Sequence, residues 1–309
     1  MNQPTRIFLP VAIFLACAVA PLSAADALEL KQRLITDKKY FQTTQTTQSM
    51  TMDIGPRKTE QKTTTTMEMS LAVRPHEDGT RKRVTIKYER VAMNMDMNGQ
   101  KEGFDSAKPV DATDTMGLAK RLGGDVGKEV KVVLTSTDDI DDIENFYGKN
   151  PPRSPEPEME MARMLKNSII AHLMKQGDLH AMPGKPVRSG DSWPFTTTLM
   201  LPPPMHRATV KGTYTFKGMA THGGVPCAEI ATVGEISLDQ PKNDAHSSTS
   251  SGTLNGTVWF DPKLGFARDA QFAQEMNMTV KEPADPTFML RCSLKQEVSI
   301  TLAKVEDMK

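Results

Sequence analysis

Cysteine is scarce, with three residues in 309, which is too few for a disulfide-built scaffold. Aromatic residues make up only 6% of the chain. Charge of one sign is missing as well: 38 Lys and Arg balance 38 Asp and Glu, so no basic surplus exists to hold a nucleic-acid backbone. A negative mean hydropathy excludes a polytopic membrane protein. Catalytic signatures are absent too: there is no Gly-x-Ser-x-Gly elbow, P-loop, dinucleotide fingerprint or His-Glu-x-x-His. The six histidines, His76, His172, His180, His206, His222 and His246, offer no pair at metal-ligand spacing. These absences set the expectation of a non-enzymatic protein with no cofactor, no resident metal and no nucleic-acid partner.

The first two dozen residues are apolar in a different way from the rest. Arg6 precedes the run Ile7 to Ala20, and Leu22-Ser23-Ala24 supplies small residues at signal-peptidase spacing, so residues 1–24 are expected to be a signal peptide cut after Ala24. Pro10 and Pro21 interrupt a stretch already too short to span a bilayer comfortably. Lipidation at Cys17 is the weaker alternative, because the apolar run continues past it. The expected location is exported, periplasmic or extracellular, with no transmembrane segment after cleavage.

Alternation with period two dominates the chain beyond Ala24. Ala208, Val210, Gly212, Tyr214 and Phe216 share one parity, and Thr209, Lys211, Thr213, Thr215 and Lys217 the other. The same rhythm returns from Leu254 to Phe260, from Phe266 to Val280 and from Phe288 to Leu302. His222-Gly223-Gly224 and Asp261 to Gly265 are the turn signals between them, so these strands are expected to be antiparallel hairpins. In the first half, Leu28 to Ile35, Thr43 to Asp53, Thr59 to Val73 and Arg81 to Met97 read as strands, with turns at Ile54-Gly55-Pro56 and Glu77-Asp78-Gly79. Threonine is β-branched, so the Thr runs 43–47 and 63–66 support solvated strands rather than disorder.

Two stretches break this rhythm. From Glu158 to Gln176, Met161, Met164, Leu165, Ile169 and Leu173 fall on one helical face, and a shorter helix is expected over Asp114 to Leu122. The expected fold is therefore mainly β with a minor α component: a long antiparallel meander forming a curved sheet or half-open barrel. It comprises two related β halves, 25–150 and 157–309, a Pro-rich linker at 151–156 and one principal covering helix.

The strand Leu28-Glu29-Leu30, the Thr- and Met-rich strands, Met93-Asn94-Met95-Asp96-Met97 through Asp105-Ser106, Val187 to Trp193 and Gly256 to Gly265 together carry a resemblance. On these the chain resembles a bacterial family of secreted proteins classed as a domain of unknown function. The arrangement also looks like lipoprotein-carrier (LolA-like) folds, in which a curved antiparallel sheet backed by helices shields a lipid. The resemblance implies no catalytic residues.

Methionine is unusually common, at 21, and much of it lies in Met-x-Met pairs. Thioethers select Cu(I), which makes copper handling one reading. With Gly55-Pro56 at a turn, however, Met50 falls opposite Gln61 and Met67 opposite Thr44, ~20 Å apart, and Met95 and Met97 lie an intervening strand away from Met50 and Met52. Packing or groove lining is therefore preferred. Candidate ligand-groove residues are Met50, Met52, Met93, Met95 and Met97 in the first half, with Tyr214, Phe216, Phe272, Met276 and Met278 in the second. The expected partner is an apolar or lipid-like ligand, and the alternative is a structural role against another envelope protein.

Three other features receive plain readings. The acidic run Asp138 to Glu144 lacks the spacing of a calcium loop and reads as a solvated strand or turn. Gly190-Asp191-Ser192 resembles an esterase block, but no histidine three residues after an aspartate accompanies it, so a turn into a strand is expected. Cys292 shares parity with Leu290 and Leu294, whereas Cys227 opposes Ala228 and Ile230, so the two thiols should face opposite sides and stay unpaired.

Overall fold

The computed structural model describes residues 27–55, 57–109, 117, 123–138, 140–144, 182–200, 207–238, 247–282 and 285–309. The expected signal peptide, the linker at 151–156, the principal helix Glu158–Gln176 and nearly all of the shorter helix lie outside them. Among the described residues there are twelve strands and no α-helix.

The strands are β1 Lys38–Ile54, β2 Arg57–Pro75, β3 Lys82–Met97, β4 Gln100–Asp105, β5 Glu129–Leu134 and β6 Ile140–Glu144, then β7 Ser192–Met200, β8 Arg207–His222, β9 Val225–Leu238, β10 Ser247–Asp261, β11 Phe266–Glu282 and β12 Asp285–Asp307. They form one antiparallel sheet in the order β6-β5-β3-β2-β1-β12-β11-β10-β9-β8-β7, with β4 paired to β3. The sheet is curved and not closed into a barrel. Both expected halves are thus one sheet, joined where β1 pairs β12 along its whole length, from Lys38↔Asp307 to Ile54↔Leu290.

Turn chemistry explains the hairpins. Gly223 and Gly224 both take positive φ, 56° and 79°, the geometry that matches strand twist in a two-residue loop. Asn98 and Gly99 do the same at 52° and 88°, closing the β3–β4 hairpin. Arg90 then clamps that hairpin, giving Asp105 two hydrogen bonds of 2.9 Å and Glu68 one of 2.8 Å. These bonds hold the Asp105 carboxyl well below the usual carboxylate range and raise the Arg90 guanidinium.

The stretch Leu28 to Ile35 departs from expectation: it is not a strand. Leu28 makes a single bridge to Val187, and the chain then crosses one end of the sheet as a strap. Its period-two pattern still buries Leu30 and Leu34, because an extended chain alternates faces with or without a ladder. Separate hydrogen bonds fix it. Arg33 N donates to Gly265 O (2.9 Å), Leu34 N to Asp138 Oδ2 (3.1 Å), Ile35 N to Tyr40 Oη (2.9 Å) and Asp37 N to Val73 O (2.8 Å). Gly265 is required there, since a Cβ would stand 2.1 Å from Arg33 Cγ. Beneath the strap Tyr40 stacks on Phe266 at 4.7 Å, and burial raises the Tyr40 phenol pKa.

Six register shifts interrupt the described ladders; those at Val133/Leu134 and Lys281/Glu282 lie apart, and the other four are at Phe41/Gln42, Glu68/Met69, Phe216/Gly218 and Trp259/Phe260. These four fall within two residues of one row of cross-strand neighbours: Phe216, Ile230, Val258, Ala270, Ile300, Thr44, Met67 and Val91. Bulges bend their strands, so the sheet is creased along a line near its strapped end.

Candidate functional site

Register fixes which side chains share a face, because residues directly opposite in neighbouring strands point the same way. The row through Met276 reads Thr197, Val210, Ile236, Gly252, Met276, Leu294, Met50, Gln61, Met97 and Gln100. The row through Phe272 reads Trp193, Tyr214, Thr232, Gly256, Phe272, Val298, Thr46, Thr65, Met93 and Phe104. Met95 lies in the row between these two, Phe216 in the crease row, and Met52 and Met278 in the row beyond Met276. All ten candidate groove residues therefore face one side. Among the described residues the five rows from Thr44 to Met52 on that side hold one charged residue, Glu102 at the β4 margin.

The opposite face is the reverse. One of its rows reads Lys211, Glu235, Thr253, Glu275, Lys295, Ser49, Lys62, Asp96 and Lys101. Lys295 Nζ lies 2.9 Å from Glu275 Oε1 across it. An open depression of about 640 Å³ lies on this polar side, edged by Gln45, Thr47, Asn255, Gln271 and Glu297; of the ten candidates only Phe272 borders it.

Burial divides the apolar face. Tyr214, Phe216, Phe272, Met276 and Met278 are buried. In the first half Met95 is buried, while Met50, Met52, Met93 and Met97 are only half-buried. Polar atoms without partners sit on the same face near the crease: Gln42 Oε1, Thr44 Oγ1 and Thr232 Oγ1. Gln42 is 3% exposed and Thr232 1%. A buried acceptor left unpaired costs roughly 1–3 kcal/mol, so these oxygens are places where a donor is favourable.

The placement of β12 between β1 and β11 makes a cluster that sequence reasoning missed. Cys292 is directly opposite Met52 on one side and Met278 on the other, and Met50 and Met276 stand one rung-pair away, opposite Leu294. Cys292, Met278 and Leu290 are buried together, with Met50, Met52 and Val280 packed against them. The only sequence signal was the shared parity of Cys292 with its strand's core face. Cys227 lies on the other face at the strapped end, roughly 36 Å away by ladder rise, and both cysteines are free.

The remaining motifs are accounted for locally. Ser192 Oγ lies 2.9 Å from Thr215 Oγ1, and Asp191 accepts from Arg188 N in a turn. Asp138 takes Lys82 Nζ at 2.7 Å, and Asp141 takes Arg81 at 2.6 Å, so cationic side chains already meet this acidic run. His222 Nε2 lies 3.2 Å from Asp269 Oδ2 and stacks on Trp259 at 4.4 Å, a pairing with no precursor in the sequence pattern. Among the described residues no group of three His, Cys, Asp or Glu could hold a metal ion, and no helix is long and apolar enough to cross a membrane.

Residues 79–267 match the family of unknown function DUF6263. No curated protein matches. Among solved structures, one of lipovitellin, concerned with lipid–protein interactions, is 11% identical over 90% of this chain, with a TM-score of 0.47. The chain spans about a quarter (26%) of that lipovitellin chain. A DUF1329 family protein from Desulfovibrio piger is 8% identical, covering 87% of each chain at a TM-score of 0.16. Pseudomonas aeruginosa OpdQ is 7% identical over 88% of this chain and 99% of its own, with a TM-score of 0.24.

Proposed function

The chain belongs to that family of unknown function, and from this premise we propose that it is an exported, non-enzymatic envelope protein that holds an apolar or lipid-like ligand against the uncharged face of its sheet. The segregation of the two faces carries the reading. Five successive rows, four of them running across eight or more strands, keep nearly all charge on one side, and on the other keep methionine, aromatic and aliphatic side chains beside uncharged Thr and Gln. Methionine suits such a surface, since its flexible, polarizable side chain repacks around varied apolar shapes. The half-buried Met50, Met52, Met93 and Met97 mark where contact with a ligand is gained.

The unpartnered Gln42 and Thr44 oxygens supply hydrogen-bond acceptors within that face, which fits an amphiphile better than a pure hydrocarbon. The test is native mass spectrometry and solvent extraction of the purified protein. A co-purifying amphiphile, lost when Met93, Met95 and Met97 are replaced together by glutamate, is the expected result. Protein that is ligand-free from several hosts and takes up no added amphiphile would overturn the reading in favour of a structural role against another envelope protein.

A further inference from the structure

The five sulfur atoms gathered where β11, β12 and β1 run side by side set a thiol directly between thioethers, which the methionines of β2 and β3 do not, and we propose that they form a Cu(I) site. Its ligands are the Cys292 thiolate and the Met52 and Met278 thioethers. Cys292 is the direct cross-strand neighbour of both methionines, which sets its Cβ ~4.5–5.5 Å from each on one face, with Met52 and Met278 on either side of it roughly 10 Å apart. Three rotatable bonds let each methionine sulfur swing toward the cysteine between them. Met50 and Met276 flank the trio at the neighbouring rung and are available as a fourth donor or as a shield from water.

Ligand type and charge both select the metal. Thiolate and thioether donors are soft and favour Cu(I) over Mg²⁺, Ca²⁺ or Mn²⁺. Binding replaces the thiol proton by the ion: an S–Cu bond forms, the S–H bond breaks, the proton leaves to solvent, and copper stays in its +1 state. One thiolate cancels the single charge of Cu(I), so the occupied site is neutral, as the uncharged face around it demands. Zn²⁺ on the same three sulfurs would leave one uncompensated positive charge among Leu290, Leu294 and Val280, with no imidazole or carboxylate donor beside it among the described residues of these rows. Met93, Met95 and Met97 do not take part, because β2 presents Gln61 and Thr59 between them and Met50 and Met52.

The experiment is an anaerobic Cu(I) titration of the reduced full chain against a chromophoric Cu(I) chelator, with Zn²⁺ in parallel and sulfur-edge X-ray absorption on the loaded protein. One equivalent of Cu(I) held through sulfur alone is expected, with Zn²⁺ bound at least a hundredfold more weakly. Cys292→Ser should abolish it, and Met52→Leu and Met278→Leu should each weaken it about tenfold or more. The triple Met93→Leu, Met95→Leu, Met97→Leu variant should leave it unchanged. Leucine keeps the volume and the apolar face, and a retained β-type circular-dichroism spectrum shows that each variant folds. Binding no tighter than free methionine at equal concentration overturns the proposal. So does unchanged binding in Cys292→Ser, or an equal loss in the triple variant. Amphiphile binding is read separately, so the two proposals can fail independently.

Discussion

The two ends of the apolar face use different materials. Toward β7, rings lie flat over glycine: Phe195 covers Gly212, where a Cβ would stand 2.4 Å from its ring, and Phe272 covers Gly256 at 2.3 Å. Tyr214 is stacked against Phe195 at 4.4 Å and tilted against Trp193 at 5.7 Å. Toward β3 the same rows carry Thr46, Thr65 and Met93, or Gln61 and Met97, and most of these are half-buried. Rigid aromatic side chains seated on glycine make a filled core, each contributing about 1.5–3 kcal/mol by burial. Flexible methionines beside short polar side chains make a surface that adapts. One continuous face thus has an end packed tightly and an end left adaptable, and the join between them, β11-β12-β1, is where Cys292 meets Met52 and Met278.

Replacing Phe272 by Ala should cost about 3–5 kcal/mol in urea unfolding, because a filled position beside Gly256 is emptied. Met93→Ala in the same row should cost about 1 kcal/mol, since the side chain is already partly in water. Equal costs would erase the contrast between the two ends.

Gly256→Val tests the same packing from the opposite direction. Its Cβ would sit 2.3 Å from the Phe272 ring and 2.7 Å from the Gln271 carbonyl oxygen, so a loss of about 1–3 kcal/mol is expected. In a Phe272→Ala background the loss should shrink, because the ring has gone while the carbonyl clash stays; full additivity would argue against ring-on-glycine packing.

Tyr40→Phe removes the acceptor for Ile35 N at the strapped end and should cost about 1 kcal/mol at neutral pH. Tyr40 ionises above its ordinary value of 10.0 in the folded protein, chiefly through burial. Its contribution is therefore fully present below pH 10 and is lost as pH rises through the folded-state value. The wild type should lose stability across that alkaline window more steeply than Tyr40→Phe, as two urea-midpoint profiles against pH would register. The smallest effect concerns the thiols, which lie on opposite faces and at opposite ends. Both Cys227 and Cys292 should be alkylated, by peptide mass, in denatured protein never exposed to reductant, and an intramolecular Cys227–Cys292 peptide would contradict the register.

Much of the fold was legible because alternation and turn chemistry are local. Ala208 to Phe216 alternate as read, Met50 does meet Gln61 and Met67 does meet Thr44. Cys227 keeps the parity opposite to Ala228 and Ile230, since β9 pairs β8 without a slip from Val225 to Glu229. Two readings went astray for physical reasons. Asn98-Gly99, a strong hairpin signal, went unused, so β4 was not foreseen. Leu28 to Ile35 has strand periodicity but finds its hydrogen bonds singly, in Gly265, Asp138, Tyr40 and Val73, which periodicity cannot reveal.

The sequence by itself determined the class, the strand faces and the composition of the candidate groove, because side-chain period and turn residues act over a few positions. Tertiary structure alone decided that β1 pairs with β12. Pairing β1 with β12 joins segments more than 200 residues apart, and no local signal distinguishes that partner from other Thr-rich edges. Within the first half alone, Met50 and Met52 face Gln61 and Thr59 and have no sulfur directly opposite. The insertion of β12 set them on either side of Cys292 with Met276 and Met278, since a ladder brings together whatever its register aligns.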